Sequence, residues 1–148
     1  MLRIGLLSII LFSLAACTGK PEGIEPVRPF DSERYLGSWY EVARIENRFE
    51  QGLSQVTATY TPREDGGITV INRGFDVNEA AWKEAIGKAY FVDERTSAHL
   101  KVSFFGPFYA SYIAFHVAEN YDHAFVTGNS KDYLWLLSRT PSVNETIK

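Results

Sequence analysis

The stretch Phe30-Asp31-Ser32-Glu33-Arg34-Tyr35-Leu36-Gly37-Ser38-Trp39-Tyr40-Glu41-Val42-Ala43 is where a Pro- and Gly-containing leader gives way to a packed domain. Asp31 and Ser32 are capping residue types, Glu33 to Leu36 leave room for one helical turn, and Gly37 can adopt backbone angles that other residues avoid. The chain can therefore swing into an extended run that begins at Trp39. A tryptophan at the first residues of a strand can plug one end of a small barrel; taken alone, Gly-x-Trp reads equally well as an ordinary core motif.

The rest of the composition agrees with one domain. A chain of 148 residues is long enough for a single hydrophobic core. Its net charge of -3 and isoelectric point near 5.6 argue against nucleic acid as a partner. The 10 Phe, 8 Tyr and 3 Trp suit a β-rich interior or an apolar pocket. A single cysteine, Cys17, excludes an intramolecular disulfide.

Upstream, Arg3 is followed by an apolar run over residues 4–14 and then by Leu14-Ala15-Ala16-Cys17. The run is of signal-peptide length and too short to span a bilayer. Small residues directly before a cysteine make the segment resemble a bacterial lipobox. That resemblance implies a signal peptide over residues 1–16 and an acylated Cys17 as the first mature residue. Thr18 stands where an Asp would favour inner-membrane retention, so the lipoprotein rule implies the outer membrane. Residues 17–29 carry Pro21, Pro26, Pro29, Gly19 and Gly23 and read as a semi-extended tether that holds the domain of residues 30–148 off the bilayer.

Downstream, turn residues separate eight β-type runs. They fall at residues 39–46, 56–61, 68–75, 83–91, 98–104, 111–118, 124–127 and 133–138. Several alternate as half-buried strands do: Val56, Ala58 and Tyr60 oppose Thr57 and Thr59, while Ala98, Leu100, Val102 and Phe104 oppose His99, Lys101 and Ser103. Eight sequential strands with short turns predict an all-β, up-and-down antiparallel barrel, whose closure removes exposed edges. With an even number of strands, the first residue of the first strand and the last residue of the eighth lie at the same end. Trp39 and Arg139 should meet there, the guanidinium over the indole, for about 0.5–2 kcal/mol.

These residues also carry a family resemblance. Gly37-Ser38-Trp39-Tyr40 resembles the first lipocalin motif and Leu136-Leu137-Ser138-Arg139-Thr140-Pro141 the last. Asp65-Gly66-Gly67, the run from Val102 to Tyr109, and Asp132-Tyr133-Leu134-Trp135 resemble the bacterial outer-membrane lipocalins, relatives of apolipoprotein D. The resemblance implies a membrane-anchored carrier of a lipophilic ligand, a fatty acid or lysophospholipid, facing the periplasm, with a role in lipid storage, transport or maintenance. Two departures stand out. The usual Thr-Asp-Tyr motif is Glu119-Asn120-Tyr121, and the capping box Ser142-Val143-Asn144-Glu145 announces a helix that only residues up to Lys148 could fill, so the family's C-terminal helix is expected to be largely missing.

The barrel end opposite Trp39 should be the open mouth, rich in rings that include Phe49, Phe75, Trp82 and Phe108. Val56, Ala58, Tyr60, Phe105, Tyr109 and Trp135 are the candidate ligand-binding residues; Gly37, Trp39 and Arg139 form the structural closed end. Arg48 and Lys131 are available for a head group. His99, on the polar face of its strand, is expected to be exposed. The three histidines match no metalloenzyme motif, no nucleophile elbow or phosphate loop is present, and neither a catalytic role nor a cofactor is expected. Expected partners are the lipid ligand, the membrane through N-terminal acyl groups and, left open, a second copy in a homodimer. The rival reading is a structural or protein-interaction lipoprotein with a filled barrel.

Overall fold

The computed structural model describes residues 18–142. The expected signal peptide, Cys17 and the helix expected from Val143 onward lie outside them. Asp31 caps α1 (Ser32–Tyr35), the one short helix among the described residues, its carboxylate accepting from the backbone N–H groups of Glu33 and Arg34 at 3.1 and 3.2 Å. Gly37 then takes a φ of +94° and turns the chain into the first strand.

Eight strands follow: β1 (Gly37–Arg44), β2 (Leu53–Pro62), β3 (Ile68–Asp76), β4 (Ala81–Phe91), β5 (His99–Phe105), β6 (Phe108–Val117), β7 (His123–Thr127) and β8 (Leu134–Ser138). Each pairs antiparallel with the next, and β8 pairs back to β1, closing the barrel. Eight strands in sequential order is the architecture expected from the turn pattern. The largest shifts are in β2, which begins at Leu53 because its ladder with β3 extends to Asp76, and in β6, which begins at Phe108 because Phe105 and Phe108 still pair across the hairpin.

Trp39 and Arg139 meet as the strand count requires. The Arg139 guanidinium lies 3.8 Å from the Trp39 ring centroid. Its N–H groups donate to the carbonyls of Ser38, Arg34, Leu36 and Tyr121 at 2.8 to 3.3 Å. The indole is fully buried, and its Nε1 donates to the Tyr35 carbonyl at 2.8 Å.

Two expectations are corrected together. Residues 18–29 are docked on the barrel wall and do not form a free tether. Val27 donates its N–H to the Ala114 carbonyl at 2.9 Å and accepts from the Ala98 N–H at 3.1 Å. The Ser111 hydroxyl donates to the Gly19 carbonyl at 2.6 Å, and Pro21 and Pro26 are buried. The extended, Pro-containing chain thus covers the outward face of β5 and β6. That cover is why His99 is 6% exposed and not open to water, and why the outward-facing Ile113 is fully buried. Burial pulls the His99 pKa down, with Asp93 opposing.

Arg139→Ala would leave the Ser38, Arg34, Leu36 and Tyr121 carbonyls without this donor and remove the ring contact, so we expect a loss of roughly 3 kcal/mol or more in urea unfolding. Arg139→Lys should recover only part of it, because an ammonium cannot fork among several carbonyls.

Candidate ligand site

Side chains directly opposite one another in a ladder share a face, so the register defines the lumen. One continuous rung runs Trp39, Ala58, Asn72, Ala85 and a second runs Ile68, Ala89, Val102, Ala110. A third links Ala114, Val126, Trp135 and Arg44. Five of the twelve positions in these rungs are alanine: Ala58, Ala85, Ala89, Ala110 and Ala114. Ala85 and Ala110 are exposed although the register turns them inward, so the mouth half of the lumen is open.

Toward the closed end lies a floor of hydroxyls. The Tyr112 hydroxyl is 2.7 Å from that of Tyr35 and 2.9 Å from that of Tyr60. All three phenols are pushed up by burial, Tyr60 to about 12, so they stay neutral and satisfy one another.

Near the mouth, a charged cluster occupies one wall. Glu41 shares the inward face with Trp39. A register shift after Glu41 then returns Arg44 to the lumen opposite Trp135. Arg44 donates to the Glu41 carboxyl at 2.9 Å, to the Glu50 and Leu53 carbonyls at 3.0 and 2.9 Å, and more loosely to Glu46. Glu50 accepts from Asn47 at 2.7 Å and from the Trp135 indole N–H at 2.8 Å. Burial pushes Glu41 up to about 8, reinforced by its hydrogen bond to Glu50 and by the Glu50 charge, with Arg44 opposing. Burial also disfavours the Glu50 charge, but hydrogen bonds from Glu41, Asn47 and Trp135 and the Arg44 charge hold its pKa below the ordinary value. The pair therefore keeps one proton, on Glu41.

Of the residues singled out in the sequence, Val56, Ala58, Tyr60 and Trp135 do face the lumen. Two others do not. Tyr109 neighbours the inward Ala110 and so points outward, its ring 5.1 Å from the Lys101 ammonium and 6.4 Å from the Tyr90 ring. Phe105 is 80% exposed at the tip of the β5–β6 hairpin, beyond the Val102–Ala110 rung. Arg44, Glu50, Tyr35 and Tyr112 were not anticipated as site residues. The parity of Glu41 with Trp39 was the available signal for the acid, but the register shift that brings in Arg44 has no signature in sequence. A separate concavity of about 560 Å³ lies outside the barrel at the closed end, lined by residues that include Phe30, Asp31, Arg34, Arg95 and Tyr121.

A closed eight-stranded barrel, plugged at one end and open over small inward residues at the other, defines a small-ligand-binding barrel. The chain belongs to the lipocalin family: the model of the lipocalin-like domain matches residues 30–148. It is 58% identical over 135 residues to the outer membrane lipoprotein Blc of Vibrio cholerae, covering 90% of this chain and 79% of that protein. It is 50% identical over 139 residues to Blc of Escherichia coli (93% and 78% covered), and 30% identical to apolipoprotein D of Macaca fascicularis (96% and 84% covered). Among solved structures, insecticyanin from the tobacco hornworm Manduca sexta superposes with a TM-score of 0.70 at 17% identity, covering 86% of this chain and 73% of that one. Membership places the chain with binding and transport proteins.

Because the folded protein holds the Glu41 proton more tightly than the unfolded chain, this stabilisation is complete below the ordinary glutamate value of 4.5 and is lost as pH rises toward about 8. Glu41→Gln keeps a neutral donor for Glu50. Its melting temperature, relative to the unmodified protein, should therefore rise between pH 5 and pH 8.5.

Proposed function

We propose that this lipocalin is an outer-membrane lipoprotein that carries a fatty acid or lysophospholipid in its lumen, with Cys17 acylated after removal of residues 1–16 and the barrel on the periplasmic side. One observation carries the reading: toward the mouth the register turns Ala85 and Ala110 inward and both are exposed, so the lumen is open there beside Trp135. The names of the Vibrio and Escherichia relatives support the lipoprotein assignment, as does the Leu14-Ala15-Ala16-Cys17 sequence followed by Thr18.

An acyl chain of some fifteen methylenes offers about 12 kcal/mol gross at ~0.8 kcal/mol each. Lost motion and head-group desolvation reduce this to the range of micromolar or tighter binding. Arg44 is already committed to Glu41 and to backbone carbonyls, so an anionic head group belongs at the rim. There Arg48 and Lys131 are exposed.

Titrating residues 18–148 with palmitate and with lysophosphatidylethanolamine should change the tryptophan emission, since Trp135 lies in the lumen. Unchanged emission together with no lipid in the purified protein by mass spectrometry would favour the filled-barrel alternative. Trp135→Ala should weaken binding about tenfold or more, equivalent to ~1.4 kcal/mol, while its urea midpoint shifts less than that of Arg139→Ala.

A further inference from the structure

We propose that the tyrosine floor is a second polar subsite of the lumen, where the Tyr112 hydroxyl donates to a neutral acceptor at the far end of an acyl chain, so that the barrel takes chains oxygenated near their methyl terminus. This rests on the reading of the lumen as an acyl-chain site.

Tyr35, Tyr60 and Tyr112 are kept neutral by burial, so each of these phenols holds one hydroxyl proton. Two contacts link them, from Tyr112 to Tyr35 at 2.7 Å and from Tyr112 to Tyr60 at 2.9 Å. Every oxygen has a partner, yet each hydrogen bond uses one proton, and one O–H is left over. Burial decides which. Tyr35 and Tyr60 are 4% and 6% exposed, and among the described residues Tyr112 is the acceptor within their reach, so both donate to it. The Tyr112 oxygen has two lone pairs for them, and its own proton stays free. Tyr112 stands opposite Leu100, in step with the inward Ala110, and is only half-buried. The spare proton thus belongs to the phenol that the lumen reaches.

The neighbouring rings hold this donor in place. Tyr35 packs against Trp39 and Tyr60 at ring separations of 4.8 and 5.7 Å, and Tyr60 meets Tyr112 edge-on at 6.0 Å. Arg139 lies close by but commits its N–H groups to the Ser38, Arg34, Leu36 and Tyr121 carbonyls. A single O–H matches a ketone or hydroxyl oxygen, but it does not offset the desolvation of an ionised carboxylate. The charged head therefore belongs at the rim and a neutral oxygen at the floor. The span agrees with this direction. From Leu53 at the mouth, β2 reaches Tyr60 over roughly 23 Å at ~3.3 Å per residue, or about 18 Å along the barrel axis at a strand tilt of ~40°. An extended chain of sixteen carbons is of similar length.

The test uses the full expressed protein held in solution by amphipol, with hexadecanoate and 15-oxohexadecanoate, its ketone isotope-labelled, as the probes. In the unmodified protein the infrared stretch of the bound ketone is expected at its hydrogen-bonded frequency, and the keto acid should bind at least as tightly as hexadecanoate. In Tyr112→Phe the band should move to the apolar frequency, and the keto acid should fall about tenfold behind hexadecanoate, because its oxygen is buried without a donor. Tyr60→Phe keeps the Tyr112 O–H and should retain the hydrogen-bonded band. An apolar band in the unmodified protein would overturn the proposal. A hydrogen-bonded band that persists in Tyr112→Phe would also overturn it, and would move the contact to another inward donor such as Asn72. If Tyr112→Phe does not fold, the Cζ carbon resonance of Tyr112 in the unmodified protein decides: it should shift with the keto acid and not with hexadecanoate, and identical spectra overturn the subsite. Where hexadecanoate binds, these failures remove the subsite alone; failure of both acids to bind overturns the acyl-chain reading with it.

Discussion

The guanidinium of Arg139 is the point at which this barrel closes. It follows β8 directly, yet its hydrogen bonds reach the carbonyls of Arg34, Leu36 and Ser38 at the entry to β1 and of Tyr121 in the β6–β7 connection. Its face covers Trp39. A single planar fork thus ties the first and last strands to a third connection, while the indole fills the space beneath. Gly37 belongs to the same arrangement: its positive φ brings the chain around, and a Cβ there would sit 3.4 Å from the Arg139 Nη1. With one end sealed in this way, the lumen opens at the other.

The lumen above this plug is polar in two places and apolar between them. The tyrosine hydroxyls at the floor satisfy one another, and Glu41, Arg44 and Glu50 form a network on the β1 wall that also holds Trp135 by its indole N–H. Burying charge in this way costs desolvation, which is reduced here by keeping Glu41 protonated and by spreading the Arg44 donors over carboxyl and carbonyl oxygens. The Arg44 Nε is buried with no hydrogen-bond partner among the described residues. Such a network fixes the Trp135 ring against the mouth, where an apolar chain would pass it.

Residues 18–29 are held along β5 and β6 by the hydrogen bonds of Val27 and Gly19. The same segment completes the core on that side, since Ile113, His99 and Ser111 are buried beneath it.

Much of this was legible in the residues. Turn signals between alternating runs specify eight strands, and the even count places Trp39 beside Arg139, because a hairpin-linked chain can return only to the end where it began. Strand parity likewise assigns Val56, Ala58, Tyr60 and Trp135 to the inside. Tertiary structure decided what parity cannot carry. The shift between Glu41 and Ala43 turns Arg44 inward, the early start of β6 sends Tyr109 outward, and a leader that reads as spacer covers His99. Each depends on a pairing between segments distant in sequence, whose register is set by their mutual hydrogen bonds and burial and by no local pattern.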